Sequence, residues 1–190
     1  MTLQGFWRDS RVENRRATLN QYAAINNVWV LAPQGMPVLG GFGKSPSGAF
    51  SSFADLKTHL RSRDVIYLFG VLREQFVCPE DVYDVLFLGG ANTPRQATND
   101  GTPTGGGATI MAPTSPTAAT PLVEVVRQGW TFDNIAFNPV TSSAGVRLTT
   151  TGGLDEAGQA LFTNCLFTGG GTGQIGIEDN GGSGMVQILN

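Results

Sequence analysis

One internal repeat constrains the fold of this chain more than any other feature of it. Trp130-Thr131-Phe132-Asp133-Asn134-Ile135-Ala136-Phe137 and Ala160-Leu161-Phe162-Thr163-Asn164-Cys165-Leu166-Phe167 superpose at an offset of 30 residues, with Phe132 on Phe162, Asn134 on Asn164, Ile135 on Cys165 and Phe137 on Phe167. A second apolar-x-apolar pair follows each copy, Val146-Arg147-Leu148 after the first and Ile175-Gly176-Ile177 after the second, 29 residues apart. A fixed period of this size marks stacked supersecondary units, none of which buries its apolar face alone. Short strands with glycine-rich corners fit the coils of a parallel β-helix better than a helical solenoid. In such a stack like residues lie over like, so the matched phenylalanines are expected in columns. Asn134 over Asn164 is expected to form an amide ladder at a corner, where Asn satisfies the turn and tolerates left-handed dihedrals.

Composition agrees with short strands and many turns. Only 14% of the 190 residues are charged, against about 25% in ordinary globular domains, while Gly numbers 26 and Pro 10. A chain of this length buries a real core. Its net charge of −3 supplies no basic surface, which argues against a nucleic-acid partner. No apolar run reaches the roughly 18 residues of a membrane span. The start, Met1-Thr2-Leu3-Gln4-Gly5-Phe6-Trp7-Arg8-Asp9, lacks the basic-then-apolar order of a signal peptide. Cys78 and Cys165 lie far apart, outside any metal or redox spacing, and read as small buried hydrophobes.

Residues 1–27 differ from the rest. Arg8, Arg11, Arg15 and Arg16 supply four of the twelve Lys and Arg, and strand alternation is missing. A short helix over Arg11 to Tyr22, with Ser10 as N-cap and Glu13 at the box position, fits the pattern. Two readings stand for this segment: a solvated terminus, or an arm that orders only when docked on a larger assembly or neighbouring subunit.

Residues 28–190 carry the solenoid. Val28-Trp29-Val30-Leu31 reads as its first strand. Gly43-Lys44-Ser45 imitates the end of a phosphate-binding loop, but Val38 stands where its first Gly belongs and Pro46 disfavours the helix that must follow. A short amphipathic helix near 52–62, with Phe53, Leu56 and Leu60 on one face, is expected to plug the open end of the β-helix. His59, the single histidine, falls in that helix as a surface residue, which removes every mechanism needing two histidines. Strands are expected at Val65-Ile66-Tyr67-Leu68-Phe69, Gln75-Phe76-Val77 and Val82 to Leu88. The stretch 92–120 is poor in large apolar residues and contains one credible strand, Thr109-Ile110-Met111. It is expected to leave the coil as a long loop on the flank or against a second subunit. Gly171, Gly173 and Gly176 match GxGxxG without the helix a dinucleotide site needs, and read as corner residues.

Taken together, Gly43-Lys44-Ser45-Pro46 with Ala49-Phe50 and the helix, Asp64-Val65-Ile66-Tyr67-Leu68, Val85-Leu86-Phe87-Leu88-Gly89 and the Phe-x-Asn-x-x-Phe rungs resemble the start of a pectate-lyase-like right-handed β-helix. The nearest flavour is that of phage virion proteins such as tailspikes and tail fibres. The resemblance implies an all-β right-handed parallel β-helix with a short N-terminal capping helix and an N-terminal arm. It further implies a homotrimeric structural protein of the virion acting in host attachment. The arm would bind other virion proteins and the solenoid a host surface glycan. A polysaccharide depolymerase, lyase or glycosidase, on the same scaffold is the alternative from another class, and a capsid decoration protein a further one.

Enzymes on this fold use acidic residues on an exposed face, and glycoside hydrolysis needs two carboxylates roughly 5 to 10 Å apart. Asp133, Asp155, Glu156, Glu178 and Asp179 are candidates, and Asp155-Glu156 would approach Glu178-Asp179 if the coils stack as expected. Solvated turn acids are commoner than catalytic pairs, and Arg147 reads equally as a sugar contact or a surface residue. No catalytic, metal-binding or cofactor-binding residue is therefore assigned, and no cofactor is expected. Met185-Val186-Gln187-Ile188-Leu189-Asn190 is strand-like where a further rung is due, and no capping sequence is visible there. The native polypeptide is expected to continue, or a partner to cover this end.

Overall fold

A computed structural model describes residues 26–33, 48–89, 96–97, 103–104, 108–139, 143–149, 160–168, 175–180 and 186–189. The strands in chain order are β1 (Val28–Leu31), β2 (Val65–Leu68), β3 (Val71–Arg73), β4 (Phe76–Val77), β5 (Leu86–Gly89), β6 (Gln96–Ala97), β7 (Pro103–Thr104) and β8 (Ala108–Met111). They continue as β9 (Val123–Val125), β10 (Thr131–Asp133), β11 (Ile135–Asn138), β12 (Ala144–Thr149), β13 (Ala160–Thr163), β14 (Leu166–Phe167), β15 (Ile175–Asn180) and β16 (Val186–Leu189). Between β1 and β2 lies one α-helical turn, α1 (Phe53–Leu56), running into a 3-10 turn at Lys57–His59.

The strands fall into three parallel sheets, β1-β2-β5-β10-β13-β16, β3-β8-β11-β14 and β4-β9-β12-β15, called here the first, second and third. Along the chain β2, β3 and β4 enter them in that order. So do β5, β8 and β9, then β10, β11 and β12, then β13, β14 and β15, before β16 returns to the first sheet. Each pass is one coil, and every hydrogen-bonded neighbour belongs to the coil before or after. The protein is therefore predominantly β, with parallel stacked sheets. The short antiparallel pair β6–β7 is the exception and lies inside the 92–120 excursion, where one strand was expected.

Register follows the repeat where the expected columns are aromatic. Phe132 pairs with Phe162 and Phe137 with Phe167, at the 30-residue offset. The second apolar pair does not keep its expected spacing. Val146 pairs with Ile177 and Ala144 with Ile175, a shift of 31 residues instead of 29. Gly145 explains the choice, because it then lies beside Gly176, and a Cβ on Gly145 would sit 2.8 Å from the Gly176 carbonyl oxygen. The two glycines leave room for the Phe137 and Phe167 side chains, so Gly176 is a strand residue and not a corner.

Inside the coils the rings stack. Phe87, Phe132 and Phe162 form one column with centroids 5.8 and 5.5 Å apart. Phe137 and Phe167 form a second at 4.9 Å, set edge-on to the first. Parallel-offset and edge-to-face pairs of this kind add about 0.5–1.5 kcal/mol each beyond area burial. In β2 both faces are buried: Ile66 and Leu68 join the column side, while Val65 and Tyr67 cluster with Leu86 and Leu88 on the opposite side. Alternation of apolar and polar residues is accordingly lost there.

Corners need unusual backbone. Asn134 and Asn164 both adopt left-handed conformations, with φ of 61° and 50°. The expected Asn-on-Asn ladder takes a different form. Asn134 Nδ2 donates to the Gly89 carbonyl at 3.3 Å, and Asn164 Nδ2 donates to the Asp133 carboxylate at 3.1 Å. Each amide thus ties its corner to the preceding coil.

At the first-coil end, Phe53 of α1 stacks on Phe76 at 3.9 Å and lies 6.2 Å from Phe87, which continues the aromatic column into the helix. The helix ends sooner than its apolar spacing predicts, because Leu60 is already extended and Arg63 takes a φ of 68°. Asp64 is the cause. Its buried carboxylate accepts the Arg61 N–H at 2.8 Å, the Trp29 indole N–H at 2.7 Å and the Asn27 backbone N–H at 2.9 Å. These bonds pull the chain into a corner that joins β1, the helix and β2.

Phe132→Ala is expected to lower the unfolding free energy by about 3–5 kcal/mol, as for other fully buried rings, read from denaturant midpoints. Asp64→Ala strands the buried Trp29 indole N–H and the part-buried N–H groups of Asn27 and Arg61, and is expected to cost about 3 kcal/mol or more. A loss below about 1 kcal/mol for either would contradict the packing described.

Candidate functional site

A cleft of about 270 Å³ opens on the flank between α1 and the start of the third sheet. Phe53, Ala54 and Lys57 of the helical turn form one wall, Phe76, Val77 and Glu124 the floor, and Thr120 and Pro121 the far wall, with Glu74 and Gln75 at the rim. Ligand pockets run from about 300 Å³ upward, so a single small ring fills this one.

Each wall is held by named polar groups. Ser52 Oγ accepts the Asp55 N–H at 3.1 Å and caps the helical turn. Glu74 reaches across and accepts the Phe53 N–H on both carboxylate oxygens, at 3.2 and 3.0 Å. Gln75 clamps the other wall: its Nε2 donates to the Thr117 and Thr120 carbonyls at 3.2 and 2.8 Å, and its Oε1 accepts the Thr117 N–H at 2.9 Å. The Ser143 hydroxyl also donates to the Thr120 carbonyl. Glu124 lies on the floor, where its Oε1 accepts the Thr149 hydroxyl at 2.8 Å. The cleft therefore combines two carboxylates, one ammonium group and an aromatic edge. Glu74 serves the helix as well as the cleft.

Partial burial raises the Glu74 pKa above the ordinary 4.5, outweighing the backbone N–H groups of Phe53 and Ala54, which pull it down. Burial also pushes the Cys165 thiol up to about 11. Cys78, fully enclosed, is raised well above its ordinary value for the same reason. Both cysteines are inert hydrophobes at neutral pH, and neither is disulfide-bonded. His59 is exposed, with its ring 5.3 Å from Phe50.

Among the described residues, the acids singled out from sequence lie on two different sheets. Asp133 is buried in the first sheet, where it accepts the Asn164 amide. Glu178 lies in the third sheet, 2.7 Å from Arg147 Nε, with Asp179 beside it on β15. Arg147 also donates to the Ala119 carbonyl at 3.0 Å. Asp155 and Glu156, like the phosphate-loop imitation at 40–47, lie outside the described residues. Glu74 and Glu124 were not expected. Only the Val-Glu-Val alternation of β9 hints at the outward position of Glu124, and no sequence pattern places Glu74 next to it. Among the described residues no His, Cys, Asp and Glu side chains group in threes suited to a metal ion.

Glu74 favours folding most at low pH, because the folded state holds its proton more tightly than the unfolded chain does. That contribution is lost as pH rises from 4.5 through the raised folded value. Glu74→Gln is expected to flatten this part of the stability-versus-pH curve, read as melting temperature across a pH series. An unchanged curve would show that Glu74 is not the titrating group. Iodoacetamide at pH 8 is expected to leave both cysteines unlabelled in the folded protein and to label both in denaturant; rapid labelling of folded Cys165 would contradict its raised pKa.

No family model matches this chain, and neither a curated protein nor a solved structure matches it.

Proposed function

We propose that the protein is a right-handed parallel β-helix of phage tailspike or tail-fibre type, working in the virion as a homotrimeric attachment element. The observation that carries this reading is the stacking of coils in three parallel sheets around a continuous aromatic column. Such a stack is stiff along its axis, and its outward side chains form flat faces set by register alone. A stiff element with a ring-sized cleft on its flank suits recognition of a repeated surface sugar, with Lys57 and Glu124 hydrogen-bonding hydroxyls and Phe76 packing against the ring. Docking to other virion proteins falls to the basic segment 1–27.

A second reading, a polysaccharide depolymerase, draws on the same cleft, since Glu74 and Glu124 are two carboxylates facing one space. Against it, both oxygens of Glu74 are bonded to the helix, and Glu124 is bonded to Thr149.

Light scattering on the purified chain is expected to give a trimer. A panel of host surface polysaccharides is expected to yield at least one ligand that Lys57→Ala and Glu124→Gln each weaken about tenfold, the worth of one hydrogen bond to a charged group. Shortening of that polysaccharide on incubation would shift the assignment to the depolymerase. A monomer that binds no polysaccharide would remove the attachment reading.

A further inference from the structure

Glu124 stands in an outward row of the third sheet, with Val77 in register on one side and Arg147 on the other. Opposite charges side by side on one sheet face attract, so Arg147 is the natural partner of Glu124. It is drawn elsewhere. Its Nε donates to the Glu178 carboxylate at 2.7 Å and its Nη2 to the Ala119 carbonyl at 3.0 Å. Ala119 presents that carbonyl from a left-handed conformation, φ 59°, which costs a residue with a side chain roughly 1–3 kcal/mol. The surrounding turn is held in place by Gln75, bonded to Thr117 and Thr120, and by Ser143, bonded to Thr120.

Glu124 is thereby left half-buried on the cleft floor with one hydrogen bond, from the Thr149 hydroxyl to Oε1. Its Oε2 accepts none from the described residues. Among those residues neither Glu124 nor Glu74 at the rim forms an ion pair. Lys57, the single cation of the lining, is exposed on the helical wall. Two carboxylates against one ammonium give the cleft an excess of negative charge. The charge of Glu124 is felt inward as well, where it adds to burial in raising the Cys78 thiol. A partly desolvated carboxylate gains most from a cation brought to it. A bare metal ion suits the place less than an ammonium does, since the described His, Cys, Asp and Glu side chains form no group of three around it.

We infer that the cleft selects an amino sugar, with the protonated amine on Glu124 and the ring against Phe76, and that it rejects uronate and other acidic sugars. This inference rests on the glycan-binding reading and names the class of glycan. The amine supplies the cation that Arg147 does not. Glu74 adds negative charge at the rim while its oxygens keep the Phe53 N–H. Discrimination comes from the excess charge of the lining, which attracts an ammonium and repels a second carboxylate.

The test uses the whole chain and oligomers of glucosamine, of N-acetylglucosamine and of glucuronic acid, matched in length. Affinities are read by titration calorimetry at about pH 6, below the range in which amino groups of this kind lose their proton. The glucosamine oligomer is expected to bind about tenfold more tightly than its N-acetylated form, the scale of one charge-assisted hydrogen bond, and the glucuronate oligomer most weakly. Added salt is expected to narrow the difference. Glu124→Gln keeps an acceptor for Thr149 and is expected to bring the glucosamine and N-acetylglucosamine oligomers to equal affinity, with the melting temperature confirming that the variant is folded. A preference for the amine that Glu124→Gln leaves standing overturns the proposal, because the cation then sits elsewhere. Equal affinities in the unaltered chain, or tighter binding of the N-acetylated or acidic oligomer, overturn it and leave the glycan-binding reading intact. Binding of none of the three, together with none of the host polysaccharides, overturns both.

Discussion

The stack depends on register between successive coils. Parallel pairing of Thr131–Asp133 with Leu86–Leu88 below and Leu161–Thr163 above puts Phe132 between Phe87 and Phe162. A slip of one residue would turn every one of these rings to the outside and bring Thr131 or Asp133 into the core. Hydrogen bonds alone tolerate such a slip, because each residue carries the same donor and acceptor. Side chains decide it. The rings both release the most free energy on burial and penalise a wrong register most heavily.

Corners convert that register into a closed circuit. Asn134 and Asn164 take a conformation that most side chains resist, and their amides bond to the coil beneath. Asp64 does the same work at the first corner with a carboxylate, gathering donors from Trp29 of β1, from Asn27 just before that strand and from Arg61 just after the helical turn. One consequence is that α1 is short. Another is that Phe53 reaches the column and closes it, leaving a cleft where the helix stands off the third sheet.

Polar groups on the flank serve position before chemistry. Glu74 holds the helix, Gln75 holds the 117–120 segment, and Arg147 bridges Glu178 and Ala119. The cleft is shaped by these bonds, and what it presents to a ligand is largely what they leave over. The opposite end has the reverse character, with apolar side chains exposed and acidic groups on one sheet edge.

Much of the architecture was legible in residues 130–167, because a column of identical aromatics needs identical spacing, and spacing is visible in sequence. The capping turn was legible too, though not its length: nothing in Phe53, Leu56 and Leu60 reveals that Asp64 will draw the chain out of the helix. The 31-residue pairing of β12 with β15 was hidden because Val146 and Leu148 match Ile175 and Ile177 equally well by hydropathy. Only the close approach of Gly145 and Gly176 beside Phe167 separates the alternatives. The cleft was hidden for a related reason. Glu74 and Glu124 lie on successive coils, far apart in sequence, and the distance between them is set by coil closure. The sequence by itself determined period, strand content and the aromatic core, which are local patterns. The tertiary structure alone decided which acids meet and which corners bend, because those follow from how coils stack.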